Sequence, residues 1–299
     1  MCGIAGIFDP QDKRPIDGTL LSRMNEAQFH RGPDEGGLHT EPGVGLAHRR
    51  LSIIDLSSGH QPLFNEDGSV VVVFNGEIYN FVDLIPELQA LGHTFRTRCD
   101  TEVIVHAWEQ WGEACVDRFR GMFAFALWDR NQETLFLARD RMGVKPLYYG
   151  FAQDGMLIFG SELKALTAYP ACGREIDPCA IEEYFAYGYI AEPRTIYQNS
   201  YKLPPGHTLT LKRGQAVPQP REYWDVPFQP IAAISEQEAQ EELLRLLRES
   251  IKIRLVSEVP LGAFLSGGVD SSAVVAMMAG LSNEPVNTCS ISFGDPAFN

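Results

Sequence analysis

Short apolar runs separated by polar turns dominate the first half of the chain. Apolar stretches of this length, continuous or alternating with polar residues, are typical of buried strands. They predict strands over residues 3–8, 44–53, 70–75, 122–129, 134–138 and 156–161. Two further segments, 81–91 and 101–111, repeat apolar residues at helical spacing and predict amphipathic helices. Strands mixed with helices in this order indicate an α+β layered domain.

A different pattern begins at Ser235. Ser235 and Glu238 have the spacing of a helix capping box, and leucines on one face of the next turns predict an amphipathic helix. A predicted strand, a Ser/Gly-rich turn, a helix and a second strand follow, with the three regular elements over residues 261–265, 271–280 and 288–293. This order is typical of a βαβ unit in a parallel sheet.

These two patterns predict a division of the chain into domains. We expect a first domain over residues 2–215, a linker over 216–234 and a second domain over 235–299. Because 235–299 is too short for a complete doubly wound sheet, we expect the sequence to be part of a longer protein.

The composition is that of an ordinary globular protein. The chain has 299 residues, 44% of them hydrophobic and 21% charged, a length that fits about two domains. Lys and Arg number 25 against 39 Asp and Glu, and the resulting charge of -14 opposes nonspecific binding to nucleic acid or anionic membranes. We therefore expect no nucleic-acid partner and no membrane partner.

The cysteines and the N-terminal segment indicate a cellular compartment. Six cysteines are scattered along the sequence without a CxxC pair or a His/Cys cluster at metal-ligand spacing, which predicts reduced thiols. The first residues lack the basic and apolar regions of a signal peptide, and no apolar run reaches the ~18 residues of a membrane span. We expect a cytoplasmic protein.

Cys2 is a candidate nucleophile. Removal of Met1 would place a free α-amine beside the thiol, and this amine, with an ordinary pKa of about 7.7–8.0, could accept the thiol proton. The alternative is a small buried cysteine that happens to be second in the sequence.

Polar residues at the ends of two predicted strands are candidates for substrate contacts. Asn75 and Gly76 could form an oxyanion hole, although an Asn-Gly pair is also a common turn. The Arg50 guanidinium could form a bidentate interaction with a carboxylate. Glu77 and Asp100 could bind an ammonium group. Surface ion pairs are the alternative for these three charged residues.

The segment SGGVDSS, residues 266–272, lies between a predicted strand and a predicted helix. Backbone N–H groups and hydroxyls at a helix N-terminus can surround an anion. The segment lacks the lysine of the Walker motif, which favours a loop that binds pyrophosphate over one that transfers a γ-phosphate. A glycine turn with Asp270 or Ser271 as the helix cap is the alternative.

Five motifs together resemble class II glutamine amidotransferases: MCGIAG (1–6), HRGPD (30–34), RLSI (50–53), NGEIYN (75–80) and RDRMGVKPLYY (139–149). SGGVDSS resembles the pyrophosphate loop of ATP pyrophosphatases. This order of modules is similar to that of the glutamine-hydrolysing asparagine synthetase family, over nearly the whole chain. The resemblance implies an N-terminal nucleophile hydrolase fold, an αββα sandwich, followed by the beginning of an α/β parallel-sheet ATP-pyrophosphatase domain.

The resemblance also implies roles for residues of the first domain. Cys2 would attack the glutamine side-chain amide, while Asn75 and the Gly76 N–H would hold the oxyanion. The glutamine-binding residues would be Arg50, Leu51, Ile53, Asn75, Gly76, Glu77 and Asp100. Arg50 would bind the α-carboxylate, and Glu77 with Asp100 would bind the α-ammonium group.

In the second domain, the resemblance implies binding of ATP with Mg²⁺. The implied contacts are Leu265, Ser266, Gly267, Gly268, Val269, Asp270, Ser271, Ser272 and Ile291, and no residue is assigned as a metal ligand. Ammonia from glutamine would displace AMP from an adenylated acceptor, either aspartate or another carboxylate. A piece with glutaminase activity alone is a further alternative, as is a noncatalytic glutamine- or nucleotide-binding module that retains Met1. Apolar surface at the incomplete sheet makes a homodimer possible.

Overall fold

The computed structural model describes residues 1–53, 55, 59–228 and 234–295. The chain divides into two compact units, Met1–Val226 and Pro227–Asn299. Within the predicted linker 216–234, residues 229–233 lie outside the described residues, and so do residues 296–299 of the predicted second domain.

Two antiparallel sheets form the centre of the first unit. One sheet has the strand order β10-β8-β9-β1-β3-β2, and the other has the order β12-β11-β7-β6-β5-β4. The strands are β1 (Gly3–Phe8), β2 (Glu35–Glu41), β3 (Val44–Arg50), β4 (Leu63–Phe64), β5 (Val70–Ile78), β6 (Gly121–Asp129), β7 (Thr134–Arg139), β8 (Tyr148–Phe151), β9 (Leu157–Gly160), β10 (Ser200–Lys202), β11 (His207–Lys212) and β12 (Arg221–Glu222).

The helices of the first unit are α1 (Gly18–Glu26), α2 (Phe81–Ala90), α3 (Asp100–Trp111), α4 (Cys115–Arg118), α5 (Leu163–Thr167) and α6 (Pro178–Tyr187). α1 and α5 pack on the outer face of one sheet, and α2, α3 and α4 share a core with the outer face of the other. Alternate residues of β5 show the layering: Val72 and Phe74 pack with α2 and α3, whereas Val71 and Val73 pack against the other sheet. A third core joins β1 to α1 and α5. The expected αββα sandwich is therefore confirmed.

The predicted strands of the first unit are present, with shifted ends. β1 covers the predicted 3–8, but β3 ends at Arg50 rather than at residue 53. The Leu51 N–H donates to Cys2 Sγ instead of to a neighbouring strand, and this ends the pairing. The prediction missed β2 and α6 because neither has a strong apolar pattern: β2 is a half-exposed edge strand, and only Ala180 of α6 is fully buried.

The second unit contains the expected βαβ arrangement. Its elements are α7 (Glu236–Ile253), β13 (Gly262–Phe264), α8 (Val269–Ala279) and β14 (Asn287–Cys289), and β13 and β14 pair in parallel. The predicted capping box is also present, since Ser235 and Glu238 each accept the other's backbone N–H. None of the described helices combines the length and the apolar character that crossing a bilayer requires.

Gly6 provides a test of the packing of the first sheet. A Cβ at this position would meet the Phe159 ring and lie 2.6 Å from the Gly45 carbonyl oxygen. We expect Gly6→Ala to lower the free energy of unfolding by about 1–3 kcal/mol, the usual cost of overpacking a core. Gly18→Ala is the matched control, because a Cβ there meets open space.

Urea unfolding followed by tryptophan fluorescence measures this difference. The fluorescence reports the first unit alone, because the tryptophans are Trp108, Trp111, Trp128 and Trp224. Equal midpoints for Gly6→Ala and Gly18→Ala would contradict the packing described here.

Candidate active site

A cavity of about 210 Å³ opens in the first unit where strand ends from both sheets meet. Cys2 precedes β1 and Arg50 ends β3 in one sheet, Asn75 lies in β5 of the other, and Asp100 begins α3. The structure brings together all the residues that the sequence analysis assigned to the first site: Cys2, Arg50, Leu51, Ile53, Asn75, Gly76, Glu77 and Asp100 line this cavity.

The Cys2 thiol is held by the backbone of Leu51. Cys2 Sγ accepts the Leu51 N–H at 3.4 Å and donates to the Leu51 carbonyl oxygen at 3.7 Å. Burial raises the pKa of the Cys2 thiol, while the Leu51 N–H, the nearby terminal amine, Arg50 and Lys145 oppose that increase. The thiol therefore depends on these positive neighbours, and on a nearby base, to become a thiolate.

Two residues of the HRGPD motif fix the backbone around Cys2. Arg31 Nε donates to the Cys2 carbonyl oxygen at 2.8 Å, and Asp34 Oδ2 accepts the Ser52 N–H at 2.9 Å. Gly32 has no room for a side chain, because a Cβ would lie 2.5 Å from the Arg49 carbonyl oxygen. The motif thus supports the site and does not line the cavity.

Asn75 presents a buried donor to the site. Its side chain is 1% exposed, and its Nδ2 has no hydrogen-bond partner among the residues that the structure describes. A buried polar group without a partner costs roughly 1–3 kcal/mol, which is tolerated where a ligand supplies the partner. Gly76 follows in the same strand, where a Cβ would lie 2.7 Å from Phe123 Cα.

The Arg50 guanidinium is positioned by its surroundings. Arg50 is 4% exposed, and its Nη2 donates to the Asp55 carbonyl oxygen at 2.6 Å. Its Nη1 lies 3.5 Å from Glu35 Oε2. Gly59 makes room for this arrangement, because a Cβ there would lie 2.5 Å from Arg50 Nη2.

Asp100 and Glu77 supply negative charge to the cavity. Asp100 Oδ2 accepts the Ile78 N–H at 2.9 Å. Burial raises the pKa of Asp100 to about 7; the Ile78 hydrogen bond opposes this increase, and the Glu77 carboxylate adds to it. Two carboxylates in one cavity make a site suited to a cationic group.

The sequence analysis missed several residues that line the cavity. They include Gln61, Thr101 and Lys145. Gln61 Oε1 accepts the Phe74 N–H at 2.7 Å, next to Asn75. The sequence does not predict that these residues lie together in one cavity. Only Lys145 belongs to a recognised motif, RDRMGVKPLYY.

Lys145 is the most informative of these missed residues. Asp140 accepts the backbone N–H groups of Met142, Val144 and Lys145, so that one carboxylate organises the loop that carries the lysine. Burial lowers the pKa of Lys145, while Glu77 and Cys2 oppose that decrease. The loop thereby adds a second cation to the cavity beside Arg50.

The predicted phosphate loop lies in the second unit. Gly268 is the N-cap of α8, without a side-chain cap, so neither Asp270 nor Ser271 caps the helix. Ser271 Oγ donates to the Gly268 carbonyl oxygen and accepts the Ser266 N–H.

The remaining residues assigned to nucleotide contacts follow the two parallel strands. The residues Val269, Asp270, Ser271 and Ser272 form the first turn of α8, and Ser266 and Gly267 precede the N-cap. Ser290 Oγ donates to the Leu265 carbonyl oxygen at 2.6 Å, which joins the ends of β13 and β14, and Ile291 is exposed just beyond. Ligands of open parallel sheets bind at this carboxyl edge.

Family comparisons agree with the two units. Residues 1–224 match the model of the glutamine amidotransferase domain, and residues 242–299 match the model of asparagine synthase. The chain belongs to the glutamine amidotransferase family. Because the first match covers Cys2, Asn75 and Asp100 together, the whole cavity lies inside this amidotransferase domain.

Curated relatives match nearly the whole chain. Glutamine-hydrolyzing asparagine synthetase 1 of Bacillus subtilis is 37% identical over 304 residues, covering 100% of this chain and 47% of the relative. Asparagine synthetase 3 of the same organism is 36% identical over 98% of this chain and 48% of its own length. Asparagine synthetase 2 of Oryza sativa subsp. japonica is 37% identical over 93% of this chain and 42% of its own length. The chain spans about half the length of the curated relatives it matches.

A solved structure supports the fold. The glutamine phosphoribosylpyrophosphate amidotransferase of B. subtilis, complexed with ADP and GMP, aligns with a TM-score of 0.54 at 18% identity. The alignment covers 100% of this chain and 68% of the other one. At this identity the likeness concerns the fold, which is that of the N-terminal nucleophile hydrolases.

The raised pKa of Asp100 predicts a pH-dependent stability. Between pH 4 and 7 the folded state holds a proton that the unfolded state has lost, so the stability that this proton provides decreases as the pH rises. Asp100→Asn keeps an acceptor for the Ile78 N–H but does not titrate. We expect the wild type to lose on the order of 2–4 kcal/mol relative to Asp100→Asn across this window.

Urea unfolding of both proteins at several pH values between 4.5 and 7.5, read by tryptophan fluorescence, gives this difference. All other titrating groups are common to the two proteins. A difference that does not change with pH would show that Asp100 keeps an ordinary pKa.

Proposed function

We propose that this amidotransferase hydrolyses glutamine at Cys2. The observation that carries the proposal is the unpartnered, buried Asn75 Nδ2 in the same cavity as the Cys2 thiol. Such a donor can form its hydrogen bond with a carbonyl oxygen on which negative charge develops during a reaction. The side-chain amide of glutamine supplies such an oxygen.

In this reaction Cys2 acts after removal of Met1. The freed α-amine accepts the thiol proton, and Sγ attacks the amide carbon of glutamine. Asn75 Nδ2 and the Gly76 N–H stabilise the oxyanion. The α-amine passes its proton to the amide nitrogen, the C–N bond breaks, ammonia leaves and a glutamyl thioester remains. Water then cleaves the thioester, which releases glutamate and restores the thiol.

The charged residues of the cavity fit the other end of glutamine. Arg50 binds the α-carboxylate, while Glu77 and Asp100 bind the α-ammonium group. Leu51 and Ile53 provide backbone contacts. The buried Arg50 guanidinium and the raised pKa of Asp100 support this assignment, because the carboxylate of a zwitterion complements the guanidinium and its ammonium group favours the ionised form of Asp100.

For the whole protein we propose an ATP-dependent asparagine synthetase in the cytoplasm. The names of the relatives and the asparagine synthase match of residues 242–299 support aspartate as the acceptor. ATP with Mg²⁺ would bind at the 266–272 loop, with Leu265 and Ile291 against the nucleotide, and ammonia would displace AMP from the adenylated acceptor. We also propose a homodimer, which exposed apolar residues of the second unit such as Phe264 support.

Glutamate release from glutamine, measured beside intact mass, tests the first half of the proposal. We expect release from protein that lacks Met1 and at least a thousandfold loss in Cys2→Ala, since the covalent step then has no nucleophile. Cys179→Ala, which removes an exposed cysteine, is the matched control and should retain full activity. Equal glutamate release by Cys2→Ala and the control would refute the assignment.

Asn75→Ala tests the oxyanion hole. Loss of one such donor lowers kcat by about 10² to 10³, with little change in KM, because the interaction forms in the transition state. Asn131→Ala, in the exposed turn between β6 and β7, is the control. A KM increase at unchanged kcat would instead assign Asn75 to ground-state binding.

The acceptor is identified by supplying glutamine, ATP, Mg²⁺ and individual carboxylates and measuring AMP, pyrophosphate and the amide product. Aspartate alone supporting AMP formation fits the synthetase proposed here. Activity with a different carboxylate favours the related amidotransferase, and glutamate release without AMP formation favours a glutaminase alone.

A further inference from the structure

A group of histidine and glutamate side chains lies on α3, away from the residues that line the cavity. His106 and Glu109 are three residues apart on this helix, and His93 follows α2. Glu109 Oε2 is 2.9 Å from His106 Nδ1 and 3.6 Å from His93 Nδ1. The three potential ligand atoms all lie within 4.8 Å of one another.

The outer atoms of these side chains have separate partners. His93 Nε2 lies 3.2 Å from Gln110 Oε1, so a protonated Nε2 donates there and leaves the Nδ1 lone pair directed at Glu109. Asn65 Nδ2 donates to Glu109 Oε1 at 2.6 Å, which leaves Oε2 facing the histidines. Metal-binding histidines and carboxylates are typically oriented by outer hydrogen bonds of this kind.

His106, like His93, has its Nδ1 next to Glu109 Oε2. It is fully buried, and its Nε2 faces Glu102 Oε1 at 3.7 Å, too far for a good hydrogen bond. Its Nδ1 therefore points to the same centre as that of His93. Glu66 Oε2, at 3.9 Å from His106 Nδ1, is a further oxygen at this centre, while Glu66 Oε1 accepts the Thr94 N–H.

We propose that His93, His106 and Glu109 bind a Zn²⁺ ion, with Glu66 or water as the fourth ligand. Zn²⁺ takes four nitrogen, sulfur or oxygen ligands at about 2.0–2.2 Å for N and O, which places neighbouring ligand atoms about 3.3 Å apart. The measured separations of 2.9 and 3.6 Å lie on either side of this value. Mg²⁺ and Ca²⁺ prefer oxygen ligands alone and fit two imidazoles poorly.

Such an ion would connect three segments of the first unit. His93 comes from the loop before α3, Glu66 from the turn between β4 and β5, and the other two ligands from α3 itself. His93 and Glu109 are partly exposed, which gives the ion a path from solvent. The site is therefore structural, and it does not depend on the glutaminase proposal.

The alternative to a zinc site is a protonated His106 that interacts with Glu102 and Glu109 without a metal.

Zinc binding to the full chain distinguishes the zinc site from this alternative. After treatment with EDTA, the protein is dialysed against ZnCl₂ and its metal content is measured by mass spectrometry. We expect one equivalent of Zn²⁺ per chain, and a zinc-dependent rise in the unfolding temperature that EDTA reverses.

Variants assign the ion to these ligands. We expect His93→Gln to weaken zinc binding at least a hundredfold, and Gln110→Ala, which removes an outer hydrogen bond from an exposed residue, to weaken it about tenfold. His30→Gln is the matched control, because it removes another exposed histidine paired with a carboxylate, Glu162, and should bind zinc normally.

Cobalt substitution separates this site from the cysteines. Co²⁺ at His93, His106 and Glu109 should give the visible bands of a four-coordinate nitrogen and oxygen site, without a thiolate charge-transfer band. The proposal is overturned if folded wild type binds no zinc, if folded His93→Gln retains the full affinity, or if a thiolate band appears.

Discussion

The hydrogen bond from His48 to the Phe74 carbonyl oxygen joins the two sheets beside the active site. His48 Nε2 lies 3.0 Å from that oxygen, with His48 in β3 and Phe74 in β5. Burial lowers the pKa of His48 to about 3, so the ring is neutral at physiological pH and Nε2 can serve as the donor. Arg50 is two residues beyond His48, and Asn75 is next to Phe74. One buried bond thereby fixes the strand ends that carry the site.

Glycines permit the close approach that this arrangement requires. Gly76 lies against Phe123 of the neighbouring strand, Gly32 against the backbone of Arg49, and Gly59 against the Arg50 guanidinium. At each of these three glycines, the methyl group of an alanine would collide with the neighbouring atoms. The motifs of the first unit therefore combine two kinds of residue: those with chemical groups in the cavity, and those whose lack of a side chain lets the groups meet.

Much of this architecture follows from sequence patterns, within limits. The run of valines that opens β5 predicts a strand buried on both faces, and the apolar face of α3 predicts the helix that covers it. The resemblance to a known family brought Cys2, Arg50 and Asp100 into one expected site. His48, Gln61 and Lys145 could not be assigned in this way, because their roles arise from contacts between segments far apart in sequence. The sequence pattern did not predict α6, because most of the surface of this helix faces solvent.

The electrostatics of the cavity argue for a ligand with both charges. The Glu77 carboxylate adds to the burial that raises the pKa of Asp100 to about 7, and a ligand cation beside Asp100 would favour its ionised form. Arg50 and Lys145 bring two buried cations to the same cavity, to which the carboxylate of a ligand is complementary. An amino acid zwitterion supplies the ammonium group and the carboxylate together, and its side chain can then extend toward Cys2 and Asn75.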